Sequence, residues 1–222
     1  MTTYRIAVIG GTGPQGKGLA YRFARHGHEV VIGSRTAEKA VTTAHEVADR
    51  LTAEGHAPVL SGAANVEAAA GAEVVLLSVP YDGHDELVAS LADALAGKVV
   101  VSCVNPLGFD KRGAYGLDLE QSAAETASGL APDARVVGAF HHVSAVSLWG
   151  EEEYLDHDDV LVVGDDRDAK EVAQELARAV TSRIGVDAGK LRLARQLEPL
   201  TAVLISINRT YKVRSGIRIT GL

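Results

Sequence analysis

Glycines at positions 11, 13 and 16 fall in the spacing G-x-G-x-x-G, inside the stretch Gly10-Gly11-Thr12-Gly13-Pro14-Gln15-Gly16. In that spacing the first glycine permits a tight turn, the second lets backbone N–H groups approach a pyrophosphate, and the third lets a helix sit close to the preceding strand. Gly11, Thr12, Gly13, Pro14, Gln15 and Gly16 are therefore candidate dinucleotide contacts. Pro14 removes one backbone donor from the turn. About 20 residues after the glycines, where an NAD site normally places a carboxylate for the ribose hydroxyls, the chain reads Gly33-Ser34-Arg35, with Lys39 one helical turn further on. A hydroxyl, a guanidinium fork and an ammonium on one rim suit a 2′-phosphate, which a carboxylate would repel, so the expected cofactor is NADP(H). The plainer alternative makes Ser34 a helix cap and leaves Arg35 and Lys39 as solvated charges beside Glu38. As a triplet at one strand end, the three favour the phosphate.

Such a turn has this meaning only between a strand and a helix. Arg5 to Ile9 is short, β-branched and almost continuously apolar, as a strand buried on both faces should be. From Lys17 to Arg25, Leu19, Ala20, Phe23 and Ala24 share one helical face, so the positive end of that helix points at the turn. Glu29 to Gly33 reads as the second strand. The alternation continues with a helix over Thr36–Leu51, a strand at Val59–Ser61, a short helix over Asn65–Ala70 capped by Asn65, and a strong strand at Glu73–Val79 that Pro80 ends. A helix from Gly83 or His84 to Leu95 and a strand at Lys98–Ser102 follow, then an irregular stretch Cys103–Gly108. Gly113–Gly129 holds Tyr115 and an amphipathic stretch, Glu120–Ala127. Strands are expected at Arg135–Ala139 and Val160–Gly164, a helix from Asp165–Asp168 to about Ser182, and a turn at Gly185–Gly189. Leu193–Lys212 predicts a long helix with Pro199 inside it, hence a kink or a start near Glu198. Its apolar stripe, widened by Ala202 and Ile205, suggests subunit packing. Strands alternating with crossover helices imply an α/β Rossmann-type, doubly wound, mostly parallel sheet, with ligands at the carboxyl ends of its strands.

Three loops leave those ends. They are Ser78-Val79-Pro80-Tyr81, Val104-Asn105-Pro106 and Phe140-His141-His142-Val143-Ser144-Ala145. Pro80 and Pro106 also serve simply to stop strands, and loop histidines are often structural, so only the shared position marks these residues. His141 and His142 are candidates for direct substrate contact. A zinc site is disfavoured, because adjacent histidines project differently and no further ligand set accompanies them; no metal is expected. Cys103 reads as a small buried apolar residue. The acidic run Glu151–Asp159 reads as a solvated loop.

The chain has 222 residues, a net charge of −7 and 46% hydrophobic residues, enough for a core but too little for two large domains. The acidic balance argues against general nucleic-acid or anionic-membrane binding. One cysteine rules out an internal disulfide and fits a reducing compartment, and no apolar run approaches a membrane-spanning length, so a cytoplasmic enzyme is expected.

The string from Gly10 to Ala20 and the segment Gly27–Arg35 resemble the F420-dependent NADP oxidoreductases, which move a hydride between NADP(H) and the deazaflavin coenzyme F420. The likeness extends to Ser78–Tyr81, Glu120–Glu125, Ala139–Ala145, Val162–Asp166 and Leu197–Leu200, and so spans essentially the whole chain. It implies a homodimer with an NADP-binding domain over residues 1–145 and a small, mainly helical domain over 146–222 that completes the deazaflavin cleft and the dimer interface. Carried onto this sequence, it puts Thr12, Gly13, Pro14 and Gln15 on the pyrophosphate, and Ser34, Arg35 and Lys39 on the 2′-phosphate. Val79, Asn105 and Ala145 fall beside the nicotinamide. Pro80, His141 and Val143 fall near the deazaflavin, with His141 orienting the ring or delivering a proton. Two other readings of the same residues are an NADP-dependent imine or ketone reductase, which would need a proton donor among His141, His142 and Tyr81, and a non-catalytic NADP(H) sensor.

Overall fold

The computed structural model describes residues 2–222. Its elements in order are β1 (Arg5–Ile9), α1 (Pro14–Arg25), β2 (Glu29–Ser34), α2 (Ala37–Ala53), β3 (Leu60–Ala64), α3 (Asn65–Ala70), β4 (Val74–Leu77), α4 (His84–Leu95) and β5 (Val99–Ser102). There follow β6 (Leu107–Asp110), β7 (Gly113–Gly116), α5 (Ala123–Leu130), β8 (Arg135–Gly138), α6 (Ala145–Leu148), β9 (Leu161–Gly164), α7 (Arg167–Thr181), β10 (Val186–Asp187) and α8 (Ala194–Tyr211). Eight strands form one sheet in the order β10-β9-β8-β5-β4-β1-β2-β3, parallel except where β9 runs against β8. The order reverses beside β1, which pairs with β2 on one side and β4 on the other; the two crossovers leave that point in opposite directions and open a crevice between the β1 and β4 ends.

Apolar side chains fill both faces, which is why the strands lack alternation. Ile6 and Val8 belong with Ile32, Leu76, Val101 and Leu176 on one face; Ala7 and Ile9 belong with Leu77, Val100, Leu91 and Ala127 on the other. Burying each such aliphatic side chain contributes roughly 1.5–3 kcal/mol.

Several expected details change. Asn65 does not cap α3: β3 stays paired with β2 as far as Ala64 opposite Ser34, so the backbone turns only there and Ala64 takes the cap position. The stretch after Cys103 is not irregular throughout, since Leu107–Asp110 and Gly113–Gly116 pair as an antiparallel hairpin. Asp110 turns it, accepting from the backbone N–H groups of Arg112 and Gly113. Gly185–Gly189 holds a short parallel edge strand, β10, on β9. Helix α8 begins at Ala194 and runs through Pro199, so it does not start near Glu198. The acidic run is not wholly solvated, because Asp159 is buried against Arg183 at 2.8 Å and Arg218 at 3.8 Å. Helix α5 starts at Ala123, three residues later than the amphipathic stretch, where Ser122 and Glu125 form a reciprocal cap.

Candidate active site

Chain sterics set the glycine turn. A Cβ on Gly11 would lie 2.7 Å from the Val8 carbonyl oxygen and 2.9 Å from Ile32 Cγ2, and one on Gly16 would lie 2.7 Å from Gly11 Cα. Those two positions exclude any side chain. Gly13 differs: its Cβ would meet only the Gly10 carbonyl oxygen, at 3.4 Å, an ordinary contact. Nothing in the chain requires glycine there, so the space over Gly13 is a cradle that a side chain would fill. Gly13 is also the N-cap of α1, and no side chain caps that helix end. Backbone donors beside an open cradle suit an anionic group.

Gly11 N–H donates to the Gly33 carbonyl at 3.1 Å, which fixes the turn beside the end of β2. Ser34 is the last residue of β2, and Thr36 takes the N-cap position of α2, so Ser34 is not the cap. Arg35 and Lys39 are exposed at this edge, and no ion pair with Glu38 is present among the described residues. One hydroxyl and two uncommitted cations lie next to the turn, as a 2′-phosphate requires.

The carboxyl ends of β4, β5 and β8 converge on a cleft of about 480 Å³. Of the residues expected there, Gly13, Pro14, Gln15, Val79, Pro80, Asn105, His141, Val143 and Ala145 line it. Gly11 and Gly16 stand behind the turn, and Thr12 is exposed at its tip. Ser34, Arg35 and Lys39 lie outside this cleft, beyond the turn.

The residues at the end of β8 are held from three directions. Phe140 takes a left-handed φ of 62°, a conformation that costs on the order of 1 kcal/mol in a non-glycine residue. Its ring packs edge-on against Phe23 at 5.8 Å, and its carbonyl accepts from Gln15 Nε2 at 3.3 Å, coupling the turn to this segment. Asn105 and His141 exchange two bonds: Asn105 Nδ2 donates to the His141 carbonyl at 3.0 Å, and His141 Nδ1 lies 3.1 Å from Asn105 Oδ1. With the Asn105 amide so oriented, Nδ1 carries the imidazole proton. Nε2 is buried without a partner. Burial, then the neighbouring His142, pulls the His141 pKa down to about 3, so the ring is neutral. His142, likewise depressed by burial, donates from Nε2 to the Leu197 carbonyl at 2.7 Å. Thr201 Oγ1 donates to the His141 carbonyl at 2.9 Å.

The far wall comes from α8 and the segment after it, and sequence reasoning did not find it. Thr201, Leu204, Ile205 and Asn208 line the cleft, with Ser215 folded back beside them. Their i, i+3, i+4, i+7 spacing was the available signal. Ile205, expected to widen a stripe for subunit packing, faces the cleft. Behind this wall Glu198 is buried, its carboxylate accepting from the N–H groups of Ala123 and Ala124 at 2.8 and 3.0 Å, and burial raises its pKa to about 7. Arg22 is a second buried group with no sequence signal. Its guanidinium donates to the carbonyls of Leu148, Ser147, Glu152 and Glu153, anchoring the segment after α6 to α1.

No Asp, Glu, Lys or Arg lines the cleft. Its titratable residues are the two histidines, both held neutral, and Cys103, whose thiol burial pushes far up. Both histidine N–H groups are committed to oxygen acceptors within the protein. Such a site positions flat, uncharged rings and excludes water; it offers no acid.

Residues 5–106 match the family model described as NADP oxidoreductase, coenzyme F420-dependent. An F420-dependent NADP reductase of Methanothermobacter thermautotrophicus is 43% identical over 98% of this chain and 95% of its own length. That of Methanothermobacter marburgensis is 41% identical over 98% and 99%. A crystal structure from Arthrobacter sp. FB24, assigned provisionally to the same activity, superposes with a TM-score of 0.78 at 30% identity, covering 97% of this chain and 100% of that one. Glycine turn, cationic edge, uncharged cleft and near full-length similarity lead to one conclusion: this chain belongs to the family of F420-dependent NADP reductases.

Proposed function

We propose that this enzyme transfers a hydride reversibly between NADP(H) and the deazaflavin coenzyme F420. The two coenzymes supply the chemistry, hydride passing between the nicotinamide C4 and the deazaflavin C5 when both are bound. The protein's part is placement. Gly11–Gly16 hold the pyrophosphate against the α1 end, and Ser34, Arg35 and Lys39 hold the 2′-phosphate. Val79, Asn105 and Ala145 line the nicotinamide side. Pro80, His141 and Val143 contact the deazaflavin. A neutral His141 whose Nδ1–H is tied to Asn105 orients the ring and does not deliver a proton.

The observation that carries this reading is a cleft without a charged side chain or a free acid. Reducing an imine or ketone puts a proton on a nitrogen or oxygen held inside the cleft, and neither histidine has one to give, whereas the proton that joins the deazaflavin's pyrimidine end together with the hydride comes from solvent. Tyr81 lines a neighbouring cavity instead. In functional terms residues 1–145 bind the dinucleotide, while 146–222 close the deazaflavin side, although β9 and β10 extend the same sheet. A homodimer is supported by α8, which leaves Val203 and Tyr211 exposed at 52% and 72%. A cytoplasmic setting fits the single, buried, reduced cysteine. Among the described residues no helix is long and apolar enough to cross a membrane.

The test mixes purified protein with F420 and NADPH and follows the deazaflavin absorbance. Rapid bleaching with NADPH, slow with NADH and absent without enzyme, is expected; Arg35→Ala should weaken NADPH far more than NADH. No bleaching with NADPH binding intact would remove the deazaflavin assignment. Unchanged turnover and deazaflavin affinity in His141→Ala would remove the role given to that ring.

A further inference from the structure

Charges of both signs stand around the cleft. Through Pro80 and Asn105 it adjoins a second cavity of about 660 Å³, between the loop after β4 and strand β6, where Asp82, Asp85 and Glu86 are exposed. Helix α8 continues past the cleft-lining Ile205 and Asn208. One helical turn on from these stand Arg209 and Lys212. The chain then folds back: Ser215 N–H donates to Asn208 Oδ1 at 2.6 Å and Ser215 Oγ to the Leu204 carbonyl at 3.3 Å, so Lys212 and Arg214 are held at the mouth.

Arg209, Lys212 and Arg214 are exposed, and none is in an ion pair among the described residues. The hairpin tip comes to the same place, since a Cβ on Gly113 would lie 3.9 Å from Arg209 Nη1, and Lys111 and Arg112 sit beside Gly113. Composition makes the cluster conspicuous. In a chain of net charge −7, residues 199–222 contain four Lys or Arg and no Asp or Glu. Unpaired like charges at one cleft mouth repel one another unless an anion joins them.

The ring seated in the cleft is one end of a polyanion, for F420 carries a phosphate and a string of glutamates beyond its flavin-like head. From this unpaired cluster, and resting on the function proposed above, we infer that Arg209, Lys212 and Arg214, with Lys111 at the hairpin tip, bind the phosphate and glutamate tail of the deazaflavin. The cluster makes the enzyme select tailed over tail-less deazaflavin. The contacts are solvent-exposed charge pairs, individually weak and screened by salt.

The experiment compares two probes with NADPH: F420 bearing several glutamates, and the tail-less deazaflavin riboside, which has the same redox ring. KM is measured for each with the wild-type enzyme and with Arg209→Gln/Lys212→Gln/Arg214→Gln, at low and high salt. The triple variant should raise the KM for the tailed coenzyme about tenfold at low salt, with a smaller rise at high salt, and move the riboside KM by less than about twofold. Equal shifts for both probes, or none for the tailed one, would overturn the assignment. Thermal unfolding of the variant separates the first of these results from misfolding. Failure of the wild-type enzyme to bleach either probe would overturn the hydride-transfer reading itself.

Discussion

The two walls of the cleft are built by different means. On the near wall the restraints are mainly backbone sterics, with one side-chain bond from Gln15 to the Phe140 carbonyl. Gly11 and Gly16 admit no Cβ because they touch Val8, Ile32 and each other, and the turn is held to β2 by one backbone bond. On the far wall the restraints span the chain: His142 to Leu197 across 55 residues, Thr201 to His141 across 60, and Glu198 to the start of α5 across about 75. A wall made by backbone sterics fails only when an atom is added to it. One made by single polar contacts fails when an atom is removed.

That contrast can be broken by experiment, and the largest effect belongs to the near wall. Gly11→Ala forces a side chain into backbone and should destabilise the fold by about 3 kcal/mol, lowering Tm by roughly 10 °C. Gly13→Ala should leave Tm within about 2 °C yet raise the NADPH KM about tenfold, because its Cβ enters the ligand's space and not the protein's. Thermal melts and NADPH kinetics on the pair decide the matter. Equal loss of stability would mean that the cradle over Gly13 is not reserved for a ligand.

A second, intermediate effect reaches the far wall through pH. His141 has a folded-state pKa of about 3 against an ordinary value of 6.5, so the unfolded chain binds the extra proton first as pH falls. Its contribution is present above pH ~6.5 and is lost on acidification toward the folded value. Between pH 7 and pH 5 that loss is about 2 kcal/mol, and His28, lowered by burial to about 4, adds a similar loss. Urea unfolding at the two pH values should show a smaller fall for His141→Gln than for the parent by about 2 kcal/mol. Parallel falls would show that His141 is not buried and neutral.

Smallest is Thr201→Val, which keeps the volume and removes the hydroxyl that holds the His141 carbonyl. It should cost about 1 kcal/mol and raise the deazaflavin KM about fivefold without changing the NADPH KM. Coenzyme kinetics in both substrates would reveal a rise on the NADPH side instead, which would mean that α8 positions the dinucleotide as well.

Legibility followed the same division. The glycine turn, β1, β2 and the Ser34, Arg35, Lys39 edge could be read because adjacent residues enforce them. His141 was found only from its place after a strand, and its protonation state depends on burial and on His142. The hairpin was missed because Gly108-Phe109-Asp110 carries no alternating pattern, and it is held by packing of Gly116 against Pro199 on α8. Arg22 and Glu198 look like surface charges on amphipathic helices; only long-range carbonyl and N–H partners make them interior.

By itself the sequence determined the glycine turn, NADP(H) as the cofactor and the family, because those rest on residue type and short spacing. Tertiary structure alone decided which face of α8 enters the cleft, that both cleft histidines are neutral, and that Arg209, Lys212 and Arg214 stand unpaired beyond it. Those outcomes depend on burial and on partners tens of residues away, and neither is a local property of the chain.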